Sequence, residues 1–73
     1  MKAGDYVIQK ECRGMGALLL HRWYRVTRTG KLYMFCVPLL AAGRIENFRM
    51  EQYRVATPEE LEWLAFRLFE ATA

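Results

Sequence analysis

The chain has no serine, one histidine and one aspartate among its 73 residues, which leaves little from which to assemble acid–base or nucleophilic catalysis. His21 follows an apolar run, a setting in which histidine is more often a half-buried structural residue than a base or a ligand. A cysteine nucleophile would need a base held beside it in a pocket, and so small a domain rarely encloses one. An enzyme is not expected. Cysteine is scarce as well: Cys12 and Cys36 are the two, with no C-x-x-C spacing, and Cys12, His21 and Cys36 stand at separations that form no zinc finger. In a reducing compartment they are small buried hydrophobes, whereas a secreted chain would join them in one disulfide. No metal or cofactor is expected. No apolar run approaches the ~20 residues that span a bilayer, and Met1-Lys2-Ala3-Gly4-Asp5 lacks the apolar core of a signal peptide, so a cytoplasmic protein that makes no membrane contact is expected.

What is present is a dense apolar complement. The 53% hydrophobic content, with two Trp, four Tyr and four Phe, suits a folded globule and not a disordered segment. A chain of this length makes one domain, residues 1–73, which buries only about 60 to 65% of the surface its unfolded form exposes and gains from any second covering surface. The net charge of +3 is unevenly placed. Residues 1–55 carry ten Lys or Arg against Asp5, Glu11, Glu46 and Glu51, a balance of +6, while residues 56–73 carry Arg67 against Glu59, Glu60, Glu62 and Glu70, a balance of −3. A basic body and an acidic tail can steer an anionic partner to the body, or simply reflect Glu enrichment at a helix start.

The clearest element is a C-terminal helix over 57–71. Thr57 is a good N-cap, Pro58 suits the first helical position, and Glu60 completes a capping box three residues after Thr57. At about 100° per residue, Leu61, Leu64, Ala65, Leu68, Phe69, Ala71 and Thr72 fall on one arc and form the expected core stripe, led by Leu61, Leu64, Leu68 and Phe69. Trp63 and Phe66 miss that arc. They fall among Glu59, Glu62, Arg67 and Glu70, where bulky apolar surface signals a partner.

Upstream the pattern is β. Tyr6 to Lys10 alternates as a first strand after the Gly4-Asp5 turn, and Arg13-Gly14-Met15-Gly16 breaks it. Ala17 to His21 is ambiguous between a buried strand and a helical turn, with strand preferred. Trp23 to Thr27 and Lys31 to Leu40 read as a hairpin joined at Thr29-Gly30, whose two-residue turn sets Arg28 opposite Lys31, Val26 opposite Tyr33 and Tyr24 opposite Phe35. That register buries Tyr24 and Tyr33 and puts Trp23, Arg25 and Thr27 with Leu32, Met34 and Cys36 on the other face. Pro38 ends central pairing or marks an edge, Ala41-Ala42-Gly43 turns, and Arg44 to Met50 is a further strand whose Ile45–Phe48 spacing predicts a bulge or an early end. Met50-Glu51-Gln52 forms a tight turn before a short strand, Tyr53-Arg54-Val55.

The Gly4-Asp5-Tyr6-Val7 opening, the Thr29-Gly30 hairpin and the run from Met50 to Val55 resemble an SH3-like small β-barrel over about fifty residues. The acidic and aromatic peptide-binding pattern of signalling SH3 domains and the glycine-rich motif of ribosomal and transcription-factor barrels are both missing. With its added capped helix, the chain resembles small accessory proteins of bacteriophages. The expected class is α+β: a small antiparallel SH3-like β-barrel or strongly bent sheet of four to five strands, residues 1–55, with a C-terminal α-helix.

Two binding functions compete. The first is engagement of another protein, as a small inhibitor or adaptor, through Trp63 and Phe66 rimmed by Glu62, Arg67 and Glu70, with the basic hairpin as a second contact; a second copy of the chain is one such partner. Trp63 would instead be core if residues 13–22 cover it. The second function is nucleic-acid binding by Arg22, Trp23, Arg25, Arg28 and Lys31, with Tyr24 and Tyr33 interleaved, Arg44, Arg49 and Arg54 extending the patch, and Trp23 as the stacking platform.

Overall fold

A computed structural model describes residues 1–40 and 43–72, the last two by their backbone. The domain is α+β. Five strands, β1 (Tyr6–Gln9), β2 (Tyr24–Thr29), β3 (Tyr33–Pro38), β4 (Glu46–Arg49) and β5 (Tyr53–Val55), precede one helix, α1 (Pro58–Thr72). The sheet is antiparallel in the order β4-β3-β2-β1-β5 and is not closed by a ladder between its outer strands. Among the described residues no helix is long and apolar enough to cross a membrane.

Aromatic side chains of the two outer strands nevertheless touch. Phe48 on β4 stacks on Tyr53 on β5 at 4.7 Å between ring centroids, and Tyr24 meets Phe48 edge-on at 4.9 Å. The sheet is therefore bent over a first core of Val7, Val26, Met34, Cys36 and Tyr53. Burial there pushes the Cys36 thiol up to about 11, with nearby Glu46 adding to the shift. The second core lies on the opposite side of β1, where Ile8, Cys12, Ala17, Leu20, Trp23, Ala56 and Leu64 come together between sheet and helix. Val7 and Ile8 are both fully buried, so β1 is covered on both faces.

Several local expectations are corrected. The segment preferred as a strand, Ala17 to His21, falls in two short 3-10 turns, Gly14–Leu18 and Leu20–Arg22, joined by Leu19 in an extended conformation. They fold this way because Trp23 is fully buried and its indole N–H needs an acceptor, which the carbonyl of Ala17 supplies at 2.8 Å. The hairpin register also differs: Val26 faces Cys36, Arg28 faces Phe35 and Thr29 faces Met34, with a bulge between Val26 and Arg28. Two causes combine. The loop holds three residues, Gly30 to Leu32, closed by the Gly30 N–H donating to the Tyr33 carbonyl at 2.8 Å, and the bulged Thr27 turns its hydroxyl to the Phe35 carbonyl at 3.0 Å. Val26 thereby shares a buried face with Met34 and Cys36, and Tyr33 stands exposed. The strand read from Lys31 to Leu40 is limited to Tyr33–Pro38 and that from Arg44 to Met50 to Glu46–Arg49; of the Ala41-Ala42-Gly43 turn, the two alanines lie outside the described residues.

The C-terminal elements follow the sequence closely. Met50–Gln52 is a 3-10 turn leading into β5. The capping box forms in both directions, Glu60 N–H to Thr57 Oγ1 at 3.2 Å and Thr57 N–H to Glu60 Oε1 at 2.9 Å. The helix is nonetheless rotated from the expected stripe: Leu64 is fully buried and Glu60, Trp63 and Leu68 are half-buried, while Leu61, Ala65 and Phe69 are exposed. The reason is polar. Arg54 on β5 donates to both carboxylate oxygens of Glu60, at 2.7 and 2.9 Å, and to the Cys12 carbonyl at 2.8 Å. This bidentate pair draws the Glu60 side of α1 onto the sheet and brings Trp63 with it.

Candidate functional site

The rotation of α1 creates a cleft. Its walls are the 3-10 turn Gly14–Leu18 and the first two turns of α1, and Gly14, Ala17, Leu18, Glu59, Glu60 and Trp63 line a volume of about 270 Å³. Gly14 adopts a φ of +58°, a left-handed conformation that side chains seldom tolerate, and this lets the chain leave the Cys12 loop and enter the turn. Ala17 is buried and presents only a methyl group, which leaves room above it. Trp63 packs one side against the helix-side core and turns the other to the cleft.

The two elements that form the cleft also carry exposed apolar side chains. On the 3-10 turn Met15 is 82% exposed and Leu18 49%, and on α1 Phe66 is 62% exposed, more apolar surface than scattered water-facing residues need to show. Among the lining residues the charged groups are Glu59 and Glu60, and no cation is among them. The Arg54 guanidinium holds the Glu60 carboxyl down at about 2, far below the usual carboxylate range, with the Thr57 N–H helping. Glu60 is thus committed inward, and Glu59, exposed at the mouth, is the carboxylate presented to a visitor. Glu62 and Glu70 are exposed on the same helix, and the Arg67 guanidinium lies 5.8 Å from the centroid of the Trp63 ring.

The residues singled out in the sequence are distributed as follows. Of the protein-binding set, Phe66, Glu62, Arg67 and Glu70 are exposed along α1, while Trp63 is half-buried against residues 14–18, the neighbours that would make it part of the core. Of the nucleic-acid set, Trp23 is corrected outright: it is fully buried and bonded to Ala17, so no base can stack on it. Arg22 lies with Gln9, His21, Tyr24 and Tyr53 and donates to Cys12 Sγ at 3.4 Å, just before the start of β2 and away from the hairpin loop. Arg54 is sequestered by Glu60. Arg25, Arg28 and Lys31 remain exposed.

The sequence missed Gly14, Ala17 and Leu18 as site residues. A signal was there in Arg13-Gly14-Met15-Gly16, since glycines beside an exposed Met and Leu mark an irregular apolar lip. No protein-family profile matches the chain, and no curated protein or solved structure shows significant similarity to it.

Proposed function

We propose that this domain is a non-enzymatic binding module that captures a basic segment of another protein, as a small inhibitor or adaptor, by taking one large apolar side chain into the cleft between Gly14–Leu18 and α1. The observation that carries this reading is the composition of that cleft: apolar walls from Ala17, Leu18 and Trp63, a mouth marked by Glu59, and no cation in the lining. A volume of about 270 Å³ lies just below the roughly 300–1,000 Å³ usual for small-molecule sites and suits one anchoring side chain. Phe66, Met15 and Leu18 supply the surrounding apolar contact, and Glu59, Glu62 and Glu70 select flanking Lys or Arg.

The strand order, the 3-10 turn before β5 and the Phe48–Tyr53 stack support a further reading of the sheet as an SH3-like small barrel with an appended helix, the build of small phage accessory proteins. Free, buried Cys12 and Cys36 suit a cytoplasmic setting.

Selection from a displayed random-peptide library tests the reading. Enriched peptides should pair an aromatic or aliphatic residue with flanking Lys or Arg, should shift the Gly14 and Ala17 amide and Trp63 indole NMR signals, and should lose at least tenfold in affinity on Leu18→Asp or Glu59→Lys. Enrichment that survives both substitutions, or no enrichment, overturns it. Concentration-dependent dimerisation that Leu18→Asp abolishes would overturn it in favour of a second copy as the occupant.

A further inference from the structure

The helix covers only one end of the sheet face on which it rests. It lies over Ile8, with Tyr6 packed beside the same core, and leaves the β2–β3–β4 end of that face open. The register there places three rungs side by side: Arg25 opposite Val37, then Arg28 opposite Phe35 with Asn47 beyond it, then Tyr33 opposite Arg49. Two guanidinium groups lie against the aromatics, Arg28 at 4.4 Å from the Phe35 centroid and Arg49 at 5.9 Å from that of Tyr33. A shallow cleft of about 270 Å³ opens beside them, lined by Thr27, Arg28, Phe35 and Ile45. The carboxylate nearest in sequence to this end, Glu46, is in register with Cys36 on the opposite face. Glu51, in an exposed ion pair with Arg49 at 3.0 Å, is the acidic group here, and such exposed pairs hold their partners only weakly.

We propose that this open face binds single-stranded nucleic acid, with Arg25, Arg28 and Arg49 on successive phosphates and one unstacked base seated in the Thr27–Ile45 cleft against Phe35 and the plane of the Arg28 guanidinium. Three features point to a single strand. The cations sit on one open sheet face interleaved with aromatics, which is how sequence-tolerant single-strand binders combine backbone attraction with stacking. The cleft is lined by an aromatic ring and apolar groups that a base buried in a duplex could not reach. Among the described residues no helix lies on this end of the sheet to enter a groove. The site is separate from the peptide cleft: none of its residues lines that cleft.

Fluorescence anisotropy with the intact chain tests it, using labelled twelve-nucleotide oligo-dT and oligo-U, a duplex of equal length, and polyglutamate as a non-nucleic polyanion. The single strands should bind at least tenfold tighter than duplex or polyglutamate, and three phosphate contacts should weaken binding about 20-fold between 50 and 200 mM salt, from a slope of about 0.7 per phosphate. Arg28→Glu and Arg25→Glu should each cost tenfold or more while circular dichroism stays unchanged, and Lys10→Glu, the same charge change just after β1, should stay within twofold. Equal binding of polyglutamate or duplex, insensitivity to Arg28→Glu, or no binding overturns the proposal. Arg28→Glu should leave peptide capture untouched, so the two sites fail independently.

Discussion

The two cores of this domain are built from different material. The core inside the bent sheet draws Val7, Val26, Met34, Cys36 and Tyr53 from strands alone. The helix-side core takes Ile8 from a strand and Leu64 from α1, but Cys12, Ala17, Leu20, Trp23 and Ala56 from turns and connections. Strand residues are held by ladder hydrogen bonds whatever their side chains do. Turn residues are held by particular side-chain bonds: the Trp23 indole on the Ala17 carbonyl, and Arg54 on the Cys12 carbonyl and Glu60. The first core rests on a repeating pattern and the second on a few irreplaceable atoms.

The most damaging way to break that contrast is at Trp23. Trp23→Ala should cost about 3–5 kcal/mol from lost packing alone, a large share of the roughly 4–11 kcal/mol expected for a domain of this size, so chemical denaturation should find it largely unfolded. Trp23→Phe keeps most of the volume but strands the Ala17 carbonyl, and should still cost about 1–3 kcal/mol. Met34→Leu, a volume-conserving change in the strand-built core, should cost under about 1.5 kcal/mol; equal losses at the two sites would dissolve the distinction.

The next effect is acid sensitivity of the helix-side core. Glu60, ordinarily near 4.5, is held at about 2 in the folded chain by Arg54 and the Thr57 cap. A depressed carboxylate contributes fully above its unfolded value, and that contribution is lost as pH falls from about 4.5 toward 2. Denaturation midpoints should decline across this window, and Glu60→Gln should flatten the decline while lowering stability at neutral pH. Arg54→Lys cannot make the bidentate pair and should resemble Glu60→Gln. Smaller again is Thr57→Ala, about 1 kcal/mol through the lost N-cap, read from the same denaturation curves.

The contrast also explains what could be read in advance. The helix start, the turn before β5 and β5 itself are dictated within three or four residues, and the structure has them where capping and turn chemistry put them. The hairpin register depended on a bulge at Thr27 that no alternation announces. The face α1 turns inward depended on Arg54, which counts as polar in any periodicity and yet pulls Glu60 and Trp63 inward. Leu61 and Phe69 were displaced from the core for that reason. The cleft was legible only in halves: Trp63 stood out as misplaced on its helix, but Gly14, Ala17 and Leu18 acquire meaning only once Trp23 has drawn their turn over the sheet.

The pairing of β1 with β5 has a consequence for how the chain comes to be folded. Val7 pairs with Val55, Gln9 with Tyr53, and the Arg54 bond to the Cys12 carbonyl spans 42 positions. Contacts this remote in sequence close long loops before they return any stabilisation, which slows folding relative to a helical chain of equal length. During synthesis β1 can pair with β2 as soon as Tyr24 and Arg25 have emerged, but its other edge waits for β5 and its Ile8 face waits for Leu64 of α1. Full coverage of β1 therefore waits for β5 and α1, and until then its free edge and its Ile8 face are open to aggregation.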